Sequence, residues 1–493
     1  MKSYVAPLYL LVFLPAVVFL YNIVPKKLRP VVLLLASYLF FWSISGKLIL
    51  FLLISTFSIH HFGLWLSSLQ EERNRILAET ERLKRKAVKA EYIRRQRWVI
   101  FLAVCIHIGT LLVLKYTAFF GQNLNSLLAL AGVDWTWKIP KMVMPIGISF
   151  FTFQILSYVI DLYRGRYPVQ KNILNLALYI SFFPQLIAGP IVRYVDIDRQ
   201  LESRTHSTQK AMEGIRRFLY GLGKKVLIAN VLGQCVDSIY AMELSEVTGA
   251  FAWLAAGMYM LQIYYDFSGY SDMAIGLGKL FGFDFPENFN YPYLSKSVQE
   301  FWRRWHISLG TWFREYLYFP LGGSRKGAVR TYVNLMIVFL VTGLWHGAGM
   351  TFALWGVYYG VLQVIERLGF KKILGKYPVI GWSYTFLAAL FGWVLFRADT
   401  FAQAGGMMVR MICPWKYLQT DVLLQNIVDH RAFVMLIVGL LGCGFIQKIW
   451  QRIPGTKRWK YSIGEAVWCA ILGVLSLAAL AGNTYNPFIY FRF

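Results

Sequence analysis

Read for hydrophobicity alone, the chain is a succession of apolar runs separated by short polar stretches. The runs lie near 5–24, 30–44, 47–69, 98–120, 143–163, 172–190, 214–240, 249–265, 331–345, 350–368, 382–397, 433–449 and 463–481. They are continuously apolar rather than alternating, which excludes a closed β-barrel and predicts helices. Repeated runs of 17 to 25 residues match a hydrocarbon core of about 30 Å. Runs 30–44, 172–190 and 331–345 are short or broken, and are expected to be re-entrant or tilted. The fold class is therefore an all-α polytopic membrane protein, with about eleven transmembrane helices plus re-entrant and amphipathic ones. We expect a single integral membrane domain over 1–493. Met1–Leu20 carries one early lysine, Lys2, and no small-residue cleavage pattern, so it reads as a retained first helix.

The polar stretches carry orientation. Residues 71–98 hold ten Lys and Arg with interspersed Glu, including Glu79, Glu81 and Glu91. This predicts a cytoplasmic basic loop or solvated helix over 70–97, supported by i,i+4 pairs. Lys26, Lys27 and Arg29 follow the first run, and Lys457, Arg458 and Lys460 precede the last. Positive residues mark the cytoplasmic side. Both termini are then extracytoplasmic, with helices over 401–482 followed by an aromatic tail at 483–493.

Residues 266–327 break the pattern, being too charged to span lipid as one helix and too aromatic for a disordered loop. Irregular or charged backbone at membrane depth is tolerated where protein buries it or a water-filled cavity adjoins it. The stretch reads as short amphipathic or re-entrant helices, with breaks at Pro286, Pro292 and Pro320.

Composition sharpens this picture. The 493 residues are 57% hydrophobic and 15% charged, with a net charge of +26. That excess sits in short loops, where it meets anionic lipid headgroups, and no nucleic-acid reader motif accompanies it. Cys105, Cys235, Cys413, Cys443 and Cys469 show no CxxC or Cys/His ligand spacing. They read as small apolar residues, with no disulfide framework and no metal site. No P-loop or dinucleotide fingerprint is present.

Two histidines stand out, His306 in Glu300-Phe-Trp-Arg-Arg-Trp-His306 and His346 in Leu344-Trp-His-Gly347. An ionisable group at membrane depth is a functional candidate because holding it there is costly. His346 suits a general base near neutral pH. The alternative is a hydrogen-bonded packing histidine at a helix crossing. Gly343, Gly347 and Gly349 would allow another group to approach closely. Transporters also carry intramembrane ionisable groups and broken helices, so an export channel is the competing class.

Four stretches together resemble the membrane-bound O-acyltransferase family. They are Asp266-Phe-Ser-Gly-Tyr-Ser-Asp272, Asn288-Phe-Asn-Tyr-Pro-Tyr293, the 300–306 motif with Trp312-Phe-Arg-Glu-Tyr-Leu-Tyr-Phe-Pro-Leu-Gly-Gly323, and the motif at His346. Pro184-Gln-Leu-Ile-Ala-Gly-Pro190 is similar as well. The resemblance covers a core over 140–400. It implies tilted helices ringing a central tunnel, with a cytoplasmic opening and an opposite funnel. Within the family the chain looks most like the bacterial branch that acetylates exported polysaccharide, alginate among them.

The resemblance implies acetyl-CoA as donor and His346 as the base. His306 would assist proton transfer, orient the donor or hold its segment. Arg303, Arg304 and Arg314, with Arg325 and Lys326, would either meet the donor's phosphates or anchor the cytoplasmic face. Asp266, Asp272 and Glu300 read as ion-pair partners of the arginines, and Trp302, Trp305 and Trp312 as packing aromatics. Tyr490, in the tail Asn486-Pro-Phe-Ile-Tyr-Phe-Arg-Phe493, resembles a terminal aromatic motif of the related D-alanyl system. It would serve as an acyl relay to an extracytoplasmic SGNH-type acetyltransferase, or as an interfacial anchor. D-alanyl transfer to a cell-wall polymer and transfer to lipid or protein are the alternative reactions. The location implied is the bacterial inner membrane.

Overall fold

The computed structural model describes residues 5–187, 189–450, 452–453, 462–482, 485 and 489. The described residues contain helices and no strand. In a hydrocarbon solvent each backbone N–H and C=O must be satisfied within its own segment, which a helix does. The chain divides into two compact units, Met1–Ser207 with Phe281–Phe285, and Thr208–Leu280 with Pro286–Phe493.

The first unit is dominated by the helices Ile49–Glu79 and Arg85–Leu130. Both run past their apolar stretches into the basic 70–97 segment, so that segment is largely two helix ends joined by a turn. Arg95 pairs there with Glu91 one turn away, and Lys84 lies 3.5 Å from Glu81. Leu52, Thr56, Ile59, Gly63 and Leu66 form the buried stripe of the first of these helices. Leu50, Ile54 and Phe57 on its other faces stay exposed, as a lipid-facing helix requires. The 172–190 run is broken as expected. Its helix Ile173–Ser181 stops at Phe182, where ψ is 112°, and the short helix Phe183–Leu186 follows.

The second unit is organised around Gly249–Leu280, a 32-residue helix buried along most of its length. The helix Thr208–Gly223 packs on it through glycines. A Cβ on Gly221 would meet the carbonyl oxygen of Gly269 at 2.4 Å, and one on Gly276 would meet that of Gly214 at 2.6 Å. Lipid supplies little hydrophobic drive for helix pairing, so small residues that let backbones touch supply the packing. Ion pairs tie the buried helix to its neighbours: Lys279 to Glu213 at 2.9 Å, Asp272 to Arg217 at 2.9 Å and to Lys224 at 2.7 Å, and Asp266 to Lys225.

The 331–345 run, short in the sequence and expected to be re-entrant or tilted, is the core of one continuous helix, Ala328–His346. Among the described residues, six helical stretches are long and apolar enough to cross a membrane, against about eleven expected crossings. Gly249–Leu280 is not among the six. It has the length, but Gln262, Asp266 and Asp272 lower its hydropathy, and neighbouring protein rather than lipid covers it.

Candidate active site

The two motif histidines lie in the second unit, on the 286–318 stretch and the helix Ala328–His346. The stretch folds into two seven-residue helices, Val298–Arg304 and Ile307–Phe313, followed by the π-helix Arg314–Tyr318. Pro292 opens a single 3-10 turn. The break between the two helices contains neither Pro nor Gly and falls on His306 itself, at φ +46° and ψ +54°. A non-glycine residue rarely adopts this left-handed conformation, and it persists where surrounding contacts over-determine it.

Asn288 supplies those contacts. Its carbonyl oxygen accepts from the Ile307 N–H at 2.9 Å. Its side-chain Oδ1 accepts from Ser308 N–H at 3.2 Å and from Ser308 Oγ at 2.9 Å. His306 Nδ1 lies 3.1 Å from the same oxygen. A backbone N–H can only donate, so the Asn288 atom facing it is the oxygen. His306 Nδ1 is therefore the donor in this contact. The Asn288 amide nitrogen in turn donates to Ser271 Oγ at 3.0 Å, which ties the break to the central helix.

The start of Val298–Arg304 is capped twice. Ser297 accepts from the Glu300 N–H at 3.0 Å. The buried carboxylate of Glu366 accepts from Val298 N–H at 2.5 Å and Gln299 N–H at 3.0 Å. A negative group at a helix start meets otherwise unsatisfied donors.

A cavity of 300 Å³ opens beside this stretch. Arg303, Arg314 and His306 all border it, together with Arg367, which sequence reasoning did not single out. The three arginines are exposed, whereas His306 is 1% exposed. The cavity is thus bordered by exposed guanidinium groups and by one buried imidazole. Its remaining wall is largely apolar, with Leu335, Val338, Phe339 and Thr342 of the helix Ala328–His346. That 3.6-residue spacing is one helix face, and His346 continues it one turn beyond Thr342.

Arg304 is placed differently. Its guanidinium pairs with Glu300 at 2.8 Å and donates to the Asn290 carbonyl at 3.1 Å, and it does not border the cavity. Arg325 and Lys326 are exposed and also lie away from it. Of the three acidic groups, Glu300 pairs with a motif arginine. Asp266 and Asp272 correct the expectation, taking Lys225 and the pair Arg217 and Lys224 instead.

His346 is the last residue of its helix and is 6% exposed. Its ring centroid lies 4.9 Å from that of Trp345, 5.2 Å from Phe396 and 5.3 Å from Trp355, all three edge-on. Trp345 also faces His306, at 6.3 Å, so one indole joins the two imidazoles. Trp302 and Trp305 pack in the same aromatic cluster, against Tyr359 and Trp393. The close approach expected at the motif glycines is made by the protein itself. A Cβ on Gly343 would meet the Phe352 carbonyl oxygen at 2.2 Å, and one on Gly347 would meet the Phe352 ring at 2.2 Å. They admit the neighbouring helix Met350–Ile365.

Tyr490 lies outside the described residues. Its neighbour Ile489 is buried, and the Ile489 N–H donates to Asp266 Oδ2 at 3.0 Å. Asn288, Glu366 and Arg367 are what the sequence did not reveal as site residues. The one local signal was Asn288 heading a motif, which marked the stretch without giving the residue a task.

Comparison with known proteins places the chain in a family. The membrane-bound O-acyltransferase family matches residues 168–394. The probable alginate O-acetylase AlgI of Pseudomonas syringae pv. tomato is 40% identical over 535 residues, covering 98% of this chain and 99% of the relative. The protein of the same description from Pseudomonas putida is 36% identical over 503 residues, with the same coverages. The peptidoglycan O-acetyltransferase of Helicobacter pylori is 35% identical over 355 residues, covering 64% of this chain and 65% of the relative. The chain belongs to the membrane-bound O-acyltransferase family. It is an acyltransferase, and its polytopic helical fold is the membrane setting for that chemistry.

Proposed function

We propose that this acyltransferase takes acetyl from cytoplasmic acetyl-CoA and passes it across the membrane for O-acetylation of an exported polysaccharide. The carrying observation is one cavity bordered by the exposed Arg303, Arg314 and Arg367 and by the buried His306, with His346 one turn beyond the helix face that lines it. Exposed guanidinium groups suit the donor's phosphates, and an apolar passage suits a thioester arm. The relatives that match the chain along almost its whole length carry an alginate O-acetylase description, which supports a polysaccharide acceptor.

In this reading His346 removes the proton from an attacking hydroxyl. The oxygen attacks the thioester carbonyl, the carbon–sulfur bond breaks, and the thiolate leaves and is protonated. Tyr490 supplies that hydroxyl from the 483–493 tail. The resulting aryl ester is a good donor for a second transfer, to an SGNH-type partner outside the membrane and then to the polymer. The buried position of Ile489, the residue before Tyr490, supports a tail that reaches the interior.

The test uses purified full-length protein and acetyl-CoA labelled in the acetyl group. Wild type should release CoA and carry label on the protein. Tyr490→Phe should lose the protein-bound label, and His346→Ala should lose both. CoA release without any label on wild-type protein, or full label on Tyr490→Phe, would sink the relay.

A further inference from the structure

Two carboxylates in the second unit divide their oxygens in the same way. Asp266 is 2% exposed and gives Oδ1 to the ammonium of Lys225, whose side chain is 3% exposed. Its Oδ2 accepts the backbone N–H of Ile489 at 3.0 Å. Asp237 gives Oδ1 to Arg397 Nη2 at 2.7 Å, and its Oδ2 accepts from the Tyr485 hydroxyl at 2.6 Å. Arg397 is itself held over the Tyr240 ring at 4.4 Å. In both cases one oxygen settles the charge and the other is left as a strong, directed acceptor.

We infer that Asp237 and Asp266 are positioning residues that hold half-buried Tyr485 at the edge of the helical bundle and Ile489 inside it, and thereby set the register in which residue 490 is presented. The inference rests on the relay reading for its functional consequence, not for the seat itself.

Three further observations support the seat. Asp266 lies 17 residues beyond Gly249 on a 32-residue helix, roughly 25 Å along its axis and near its middle. The contact at Ile489 is therefore deep, not at a helix end. Gly233, one turn before Asp237, clears room for the first contact. A Cβ there would meet Gln262 Nε2 at 2.5 Å and the Tyr485 hydroxyl at 3.1 Å. Finally, the two contacts are of different kinds. The hydroxyl contact selects the side chain at 485, and the amide contact registers the backbone at 489.

The experiment reads the seat without reading acetylation. Purified full-length protein carries Ile489→Cys, which keeps the backbone N–H, with the five native cysteines replaced by serine. Its reaction rate with a water-soluble maleimide is measured. Tyr485→Phe, and the paired change Lys225→Met with Asp266→Ala, should each speed labelling by roughly tenfold, the ratio that loss of one charge-assisted hydrogen bond sets. The paired change strands no buried charge, and Tyr485→Phe removes only a hydroxyl. Tyr490→Phe should leave the labelling rate unchanged. In protein with native cysteines, Tyr485→Phe should lower kcat for acetyl transfer while leaving the KM for acetyl-CoA as it was. Equal labelling rates in all variants overturn the inference even if Tyr490→Phe abolishes transfer. Faster labelling in the seat variants together with a fully active Tyr490→Phe keeps the seat and defeats the relay.

Discussion

The two stretches that carry the motif histidines hold them by opposite means. In the 298–313 stretch the chain breaks at His306, and Asn288 locks the imbalance by accepting from Ser308 and His306 at one oxygen. In Ala328–His346 the helix runs unbroken to His346, and aromatic rings box the imidazole. Asn288 accepts from His306 and so orients that ring, while three aromatic rings surround His346 at the end of its helix. The first arrangement suits orienting a bound group, and the second sets an imidazole one turn beyond the cavity wall. Trp345, facing both rings, couples their positions.

The largest effect should fall on the aromatic-boxed histidine. His346→Ala should lower acetyl transfer by about 10²- to 10⁴-fold, at unchanged membrane abundance, with polymer acetylation and immunoblotting as the paired measurements. A comparable loss in His306→Ala with normal KM for acetyl-CoA would erase the contrast drawn here.

A smaller and more discriminating test sets adjacent arginines against each other. Arg303 borders the cavity, and Arg304 is committed to Glu300 and Asn290. Arg303→Glu should raise the KM for acetyl-CoA roughly tenfold with abundance kept. Arg304→Glu faces Glu300 with a like charge, so it should reduce abundance and leave KM alone in the protein that survives. Equal KM shifts in both variants would mean that the ion pair opens in the working enzyme.

Asn288→Ala should cost about 1–3 kcal/mol in thermal unfolding of the purified protein, because buried donors on Ser308 and His306 lose their acceptor. Asn288→Asp keeps the acceptor and should recover part of that loss. No difference between the two would deny Asn288 its role at the break. The smallest effect belongs to the first unit. Glu91→Ala removes a half-exposed pair with Arg95 and should change stability by less than about 0.5 kcal/mol.

What the sequence by itself determined was the solvent and the chemistry. Continuous apolar runs allow only helices in a membrane, loop arginines and lysines mark a side, and histidines within such runs mark a function. Those signals are local, carried by composition and period. The tertiary structure decided everything that depends on which group meets which. Prolines were expected to make the breaks, yet a decisive one fell on His306 because Asn288, 18 residues earlier, satisfies a backbone no local rule would choose. Arg303 and Arg304 are the same residue type side by side, and only their facing directions on a short helix separate a cavity wall from an ion pair. Gly343 was legible as important but not as a place for the Phe352 backbone rather than a substrate. Glu366 and Arg367 gave no local signal at all. Their roles come from a helix start and a cavity contributed by residues more than fifty positions earlier in the chain. Hydrogen bonds and ion pairs act over about 3 Å through space, and no period along a sequence encodes that distance.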